Sequence, residues 1–304
     1  CGFRCSFGLR SHMATNVTTS TTRIRLQLAW LVGLLWFGAT CWSFQPRPWS
    51  WTFTGTLPLR RRNGEPQLRC TRRCLGTFSA PEPYGQLFEL RPDSGGGDSS
   101  VIWLHCGGGN GAFASYTVGA ELRQELPFTS FVFPTGRKEL PFPRWVNFGY
   151  DETSVALEDP SRLCDFGGLP GMQDSVEYVH SLVQREMSSG VLPERIVLAG
   201  FSQGGSAALE AGLSSPVRLG GVFGLSTFFL GTVPKQAATS SPPVHLFHGD
   251  ADPVVPLAWA RHTEALFKSS GVATSLRIYP GVWHTRCDEE NRDIVGLLRD
   301  LLIK

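Results

Sequence analysis

Ile196-Val197-Leu198-Ala199-Gly200-Phe201-Ser202-Gln203-Gly204-Gly205-Ser206-Ala207-Ala208-Leu209-Glu210 is the stretch on which the reading of this chain turns. A short apolar run, then Gly-x-Ser-x-Gly, then helix-forming residues predicts a strand, a sharp turn and a helix in that order. Such a turn pushes the serine out at the top of a sheet, and Gly200 and Gly204 let strand and helix approach closely. In a chain with 34 glycines the pentapeptide alone is a weak signal. Its surroundings have to carry the assignment.

A serine hydroxyl is a weak nucleophile at neutral pH. It needs a base within hydrogen-bond reach and a carboxylate that fixes the tautomer of that base. Downstream, Asp250 and Asp252 follow the apolar run Pro243 to Phe247, and His284 follows Ser275 to Tyr279. Each lies just past the carboxyl end of a predicted strand, where open α/β sheets collect their functional groups. Ser202, His284 and one of the two aspartates therefore form a candidate triad in the order nucleophile, acid, histidine. Upstream, Val101-Ile102-Trp103-Leu104-His105 reads as a strand and Cys106-Gly107-Gly108-Gly109-Asn110-Gly111 as the loop after it. Glycines there free backbone N–H groups to face a developing anion, and no Gly-Lys-Ser/Thr follows to make the loop a phosphate cradle. His105 and His248 fit structural hydrogen bonding better than catalysis, and His262 falls on a predicted helix face.

These residues resemble the acyl-protein thioesterase, lysophospholipase and carboxylesterase group of α/β-hydrolases. The likeness rests on Leu104-His105 with its glycine loop, Pro143-Arg144-Trp145, Gly200 to Gly205, the run His248-Gly249-Asp250-Ala251-Asp252-Pro253-Val254-Val255-Pro256, and Trp283-His284. It spans roughly Ser100 to the C-terminus. The resemblance implies Ser202, Asp252 and His284 as the triad, because the aspartate before the proline is the acid in that group; Asp250 then caps a loop. It implies an oxyanion hole from the N–H groups of Gly107 and Gln203, and an acyl-binding surface from Trp145, Phe228, Phe229 and Leu230. The implied reaction is hydrolysis of acyl esters or thioesters through an acyl-enzyme on Ser202, without cofactor or metal. The expected partners are a lipid, an acylated protein or a small ester, with transient membrane contact. The chain departs from the group at Cys106, usually glycine, at Gly107, commonly a larger apolar residue, and at Trp145-Val146-Asn147, where the group has Trp-Phe-Asp.

The architecture expected is an α/β-hydrolase fold over residues 81–304: one catalytic domain with a mostly parallel sheet and helices on both faces. Gln86–Leu90 and Val101–His105 are predicted to pair as an antiparallel hairpin. Further strands are expected at Phe128–Pro134, Leu219–Leu225, Pro243–Phe247 and Ser275–Tyr279. Helices are expected at Ser115–Leu126, Met172–Met187, Leu257–Phe267 and Asn291–Leu302, the second from Val176, Val179, Leu182 and Val183 at helical spacing.

Charge divides the chain. Residues 1–80 hold 11 Arg, no Lys and one acidic residue, Glu65; residues 81–304 hold 17 basic and 25 acidic residues. Nothing in the acidic body suggests a nucleic-acid surface. The leader places Arg23 and Arg25 before an apolar segment, 26–44, that ends in small and polar residues, which reads as a signal peptide. By length, a single-pass membrane anchor is the alternative. Residues 45–80, Arg-rich and nearly free of acid, have the composition of a transit segment or a disordered linker. A signal followed by such a segment suggests the secretory route, toward a plastid of secondary origin. Translation starting at Met13 would leave residues 1–12 outside the protein. Cys1, Cys5, Cys41, Cys70 and Cys74 fall in the leader and only Cys106, Cys164 and Cys287 in the body, so no disulfide framework is expected. Two other functional classes fit the same residues less completely. One is a catalytically silent α/β-hydrolase that binds a small ligand; the other is a membrane-tethered interaction protein.

Overall fold

The computed structural model describes residues 80–93, 97–139, 142–235 and 240–303. The signal-like and transit-like segments, with Cys70 and Cys74, lie outside the described residues. Seven strands form one sheet: β1 (Phe88–Leu90), β2 (Ser99–Leu104), β3 (Thr129–Phe133), β4 (Ile196–Phe201), β5 (Gly221–Leu225), β6 (Val244–Gly249) and β7 (Thr274–Tyr279). Their spatial order is β1-β3-β2-β4-β5-β6-β7. Every neighbouring pair is parallel except β1 with β3. The predicted hairpin between the first two strands does not form. Both edges of β2 are taken by parallel partners, β3 and β4, so β1 pairs antiparallel with β3 at the sheet margin.

Burial explains why these runs became strands. Every residue of β2 and β3 is buried, as expected of strands covered on both faces. In β7 half-buried and exposed residues alternate along most of its length, which suits the edge position it occupies. Alternate side chains of the central strands feed two cores. Ile102, Leu104, Leu198, Val222 and Leu246 enter one, and Val101, Trp103, Val197, Phe223 and Phe247 the other. The first core is closed by helices Met172–Ser188, Gln203–Leu213 and Leu257–Ser269. The second is closed by the segment from Ala114 to Leu126 and by the helix Asp288–Leu302. This is the α/β-hydrolase layering: a mostly parallel sheet with helices on both faces.

Two helical regions differ from expectation. The helix predicted over 115–126 begins earlier, at Gly111, because the Asn110 side chain accepts from Phe113 N–H at 2.8 Å and caps it there. It then passes through a wide π-turn, Ser115–Gly119, before the α-helical Ala120–Glu125. An unpredicted helix, Tyr150–Glu158, ends at Asp159, whose carboxylate accepts Ser161 N–H at 2.9 Å and starts the 3₁₀ turns Pro160–Phe166. Among the described residues, no helix is long and apolar enough to cross a membrane.

Candidate active site

Ser202 sits between β4 and the helix Gln203–Leu213 with φ 55° and ψ −124°. A positive φ is strained for a residue with a side chain, and such strain persists only where the surroundings enforce it. Here the enforcement is visible on both sides of the residue. Ser202 N–H donates to Leu225 O at 2.8 Å, and Thr227 Oγ1 donates to Ser202 O at 2.7 Å. Gly200 and Gly204 complete the elbow. A Cβ on Gly204 would stand 2.5 Å from Leu104 O, and one on Gly200 would strike the Gly204 carbonyl. The elbow is thus clamped between β2 and β5.

The structure brings Asp252 and His284 together. His284 Nδ1 lies 2.7 Å from Asp252 Oδ2, so Nδ1–H donates to the carboxylate and Nε2 is the basic nitrogen of the neutral ring. The second carboxylate oxygen, Oδ1, accepts Val254 N–H at 2.8 Å and Val255 N–H at 2.9 Å. Burial opposes charge on Asp252, yet the His284 ring and these two amides outweigh it and hold the carboxyl below its ordinary range. His248 stands behind the turn: its Nε2 donates to Val255 O at 2.8 Å and is 3.7 Å from Asp252 Oδ2. Burial lowers its basicity, so it holds the turn as a neutral ring. Phe201, the residue before Ser202, packs its ring 4.8 Å from that of His284. Asp250 points elsewhere and accepts Gly281 N–H at 2.6 Å, a loop cap.

The opposite wall is the loop after β2. His105 Nδ1 donates to Cys106 O at 2.6 Å, and its Nε2 accepts Gly136 N–H at 2.9 Å. Accepting at Nε2 requires a neutral ring, and full burial pushes this histidine down to about 4. Gly108 N–H goes to Pro143 O at 3.1 Å and Gly109 N–H to Cys106 O at 3.0 Å. Gly107 N–H has no protein acceptor among the described residues. Gln203 N–H, the first of its helix, has no intrahelical acceptor. Gly107 lies against the Gln203 side chain, so both amides are close to the elbow.

The four aromatic and aliphatic candidates for acyl contact are all buried. Trp145 is fully enclosed, with its indole N–H donated to His105 O at 2.8 Å and its ring 5.0 Å from the His105 ring. Phe228 packs at 5.0 Å on Phe148 and 5.1 Å on Trp259, and Phe229 at 4.8 Å on Phe267. Leu230 belongs to the same core. Sequence reasoning did not find the Gln203 side chain. Its Oε1 accepts Trp145 N–H and its Nε2 donates to Val146 O, each at 2.8 Å. Nor did it find Thr227 as the residue holding the serine carbonyl. Both are ordinary polar residues whose partners lie far away in the chain, so no spacing announces them. Among the described residues, no cluster of three or more His, Cys, Asp or Glu could hold a metal.

The fold and the elbow define an α/β-hydrolase. A family model described as phospholipase/carboxylesterase matches residues 95–301, and the chain belongs to that family, a family of ester hydrolases. A protein named acyl-protein thioesterase 1 from Gibberella zeae is 33% identical over 216 residues, covering 67% of this chain and 91% of the relative. Its namesake from Neurospora crassa is also 33% identical, covering 68% of this chain and 88% of the relative. The crystal structure of esterase PE8 is similar with a TM-score of 0.59 at 25% identity, covering 71% of this chain and 98% of that one.

Proposed function

We propose that this protein is a serine esterase/thioesterase that cleaves acyl esters or thioesters through an acyl-enzyme on Ser202. His284 Nε2 takes the proton from Ser202 Oγ as the oxygen attacks the acyl carbonyl carbon. Asp252 stabilises the imidazolium that forms without itself becoming protonated. The carbonyl oxygen becomes an anion facing the amides of Gly107 and Gln203. Collapse expels the alcohol or thiol, which takes its proton from His284. Water, deprotonated by the same histidine, then attacks the acyl carbon and releases the acid.

The observation that carries this reading is the 2.7 Å bond from His284 to an Asp252 already held by two backbone amides, beside a serine strained into an elbow. The curated relatives, named acyl-protein thioesterases, support an S- or O-acyl substrate. The domain would correspond to residues 81–304, with Phe228 and its neighbours lining the acyl side once a chain enters. The test is Ser202→Ala, assayed on p-nitrophenyl butyrate and on an S-acylated peptide. kcat should fall on the order of 10⁵–10⁶-fold, as in serine hydrolases whose nucleophile is removed, and labelling by a fluorophosphonate should vanish. Activity at a tenth of the wild-type rate would reject Ser202.

A further inference from the structure

The two amides assigned to the oxyanion hole lie on different segments, and hydrogen bonds and a close contact connect both segments to one side chain. Gln203 offers its own backbone N–H and spends its side-chain amide on the consecutive residues Trp145 and Val146, accepting from one and donating to the other. Segment 143–146 in turn carries the loop that bears Gly107. The Trp145 indole N–H holds His105 O at 2.8 Å, and Pro143 O holds Gly108 N–H at 3.1 Å. From behind, Ser175 Oγ donates to Trp145 O at 2.6 Å. Gly107 itself lies on the Gln203 side chain, since a Cβ added there would stand 3.6 Å from both Cδ and Oε1. The Gln203 side chain therefore lies against Gly107 and is bonded to the segment that holds the Gly107 loop.

We propose that the Gln203 side chain is the positioning residue of the oxyanion hole, setting the distance between its own N–H and that of Gly107. This rests on the esterase reading above. Only a side-chain amide of this length both accepts and donates here. Glutamate keeps the acceptor but sets a carboxylate oxygen against Val146 O; methionine keeps the shape and loses both bonds. Because the amide is spent on backbone, its loss acts on the transition state through misplaced donors and leaves ground-state binding alone.

The experiment uses the full chain with Gln203→Glu, Gln203→Met and Trp145→Phe, the last removing the indole bond to His105 O together with part of the buried ring. Rates on p-nitrophenyl butyrate are expressed per active site, counted by fluorophosphonate labelling carried to completion. The expected result for both Gln203 variants is a kcat loss on the order of 10- to 100-fold, the scale of a displaced oxyanion donor, with KM within about threefold. Affinity for an aryl trifluoromethyl ketone, which forms an oxyanion on the serine, should fall by the same factor as kcat/KM. Trp145→Phe should lose less, in the same direction. Unchanged kcat per labelled site, or ketone affinity unmoved while KM rises, would overturn the proposal. If neither Gln203 variant folds, Trp145→Phe and Ser175→Ala decide it by the same two readouts. Full activity in Ser202→Ala is a separate outcome that removes the esterase reading itself.

Discussion

The two walls of the site are built differently. On the proposed acid–base wall the groups support one another over a short path: Asp252 is gripped by the amides of its own turn and binds His284 directly. On the proposed oxyanion wall the groups are backbone amides, and support comes from side chains reaching across the fold: Gln203 to Trp145 and Val146, Trp145 to His105, His105 to Gly136. A carboxylate and an imidazole bring their reactive groups in the side chain itself. A backbone N–H contributes only through position, so the oxyanion wall depends on bonds that span tens of residues. One wall should fail by losing a group and the other by losing a geometry.

The largest effect expected on the acid–base wall is from Asp252→Asn. An amide there no longer fixes Nδ1–H, and kcat should drop on the order of 10⁴-fold, the loss known when a triad aspartate is neutralised. Stopped assays on folded protein, with circular dichroism matching wild type, check this. A loss below tenfold would mean that the 2.7 Å contact does not organise the histidine.

The contrast also explains what could be read before the fold was known. The elbow, both aspartates and His284 were legible because each is a special residue type at a strand end, and strand ends can be recognised from local apolar runs. The parallel sheet was legible for the same reason, from the continuous apolar runs of β4 and β6. The placement of β1 was not, because an edge strand carries no mark of which neighbour it will find: Phe88–Leu90 could have paired with β2 as readily as with β3 by composition. Trp145 was noticed as an apolar candidate, but its place under His105 depends on a contact 40 residues distant. The Gln203 side chain was invisible on the same grounds.

A smaller effect separates the walls on the pH axis. His105 is held down to about 4 by burial, while an unfolded histidine titrates near 6.5. Between those values the unfolded chain binds the extra proton, so this contribution to stability is whole above about 6.5 and is lost as pH falls toward 4, about 3 kcal/mol in all. Asp252, held below its ordinary range, loses its contribution only as pH falls below about 4. Glu210 and Glu290, both raised by burial to about 7, act with the opposite sign in the upper window, so the total curve mixes the terms. The informative quantity is the difference between wild type and His105→Gln in urea melts from pH 7 to pH 4. That difference should shrink as pH falls through the window. Parallel curves would show that the neutral ring of His105 is not what makes the oxyanion wall acid-labile.

The smallest effect expected is from Asp250→Ala, two residues from the triad acid. The turn it belongs to is laced to the approach of His284 by backbone bonds that the substitution leaves in place: Asp250 N–H to Tyr279 O and Ala251 N–H to Val282 O, each at 3.1 Å. What is lost is the exposed carboxylate's bond to Gly281 N–H at 2.6 Å, worth about 1 kcal/mol or less. For a domain of this size that is a fall of roughly 2–4 °C in Tm, with kcat within about twofold of wild type. Asp250→Asn retains an oxygen acceptor and should lose still less. Thermal melts and ester assays on the two variants measure both quantities. A kcat loss in Asp250→Ala matching that of Asp252→Asn would mean that the two carboxylates act as one unit, and the division between a working acid and a turn-holding acid would fall.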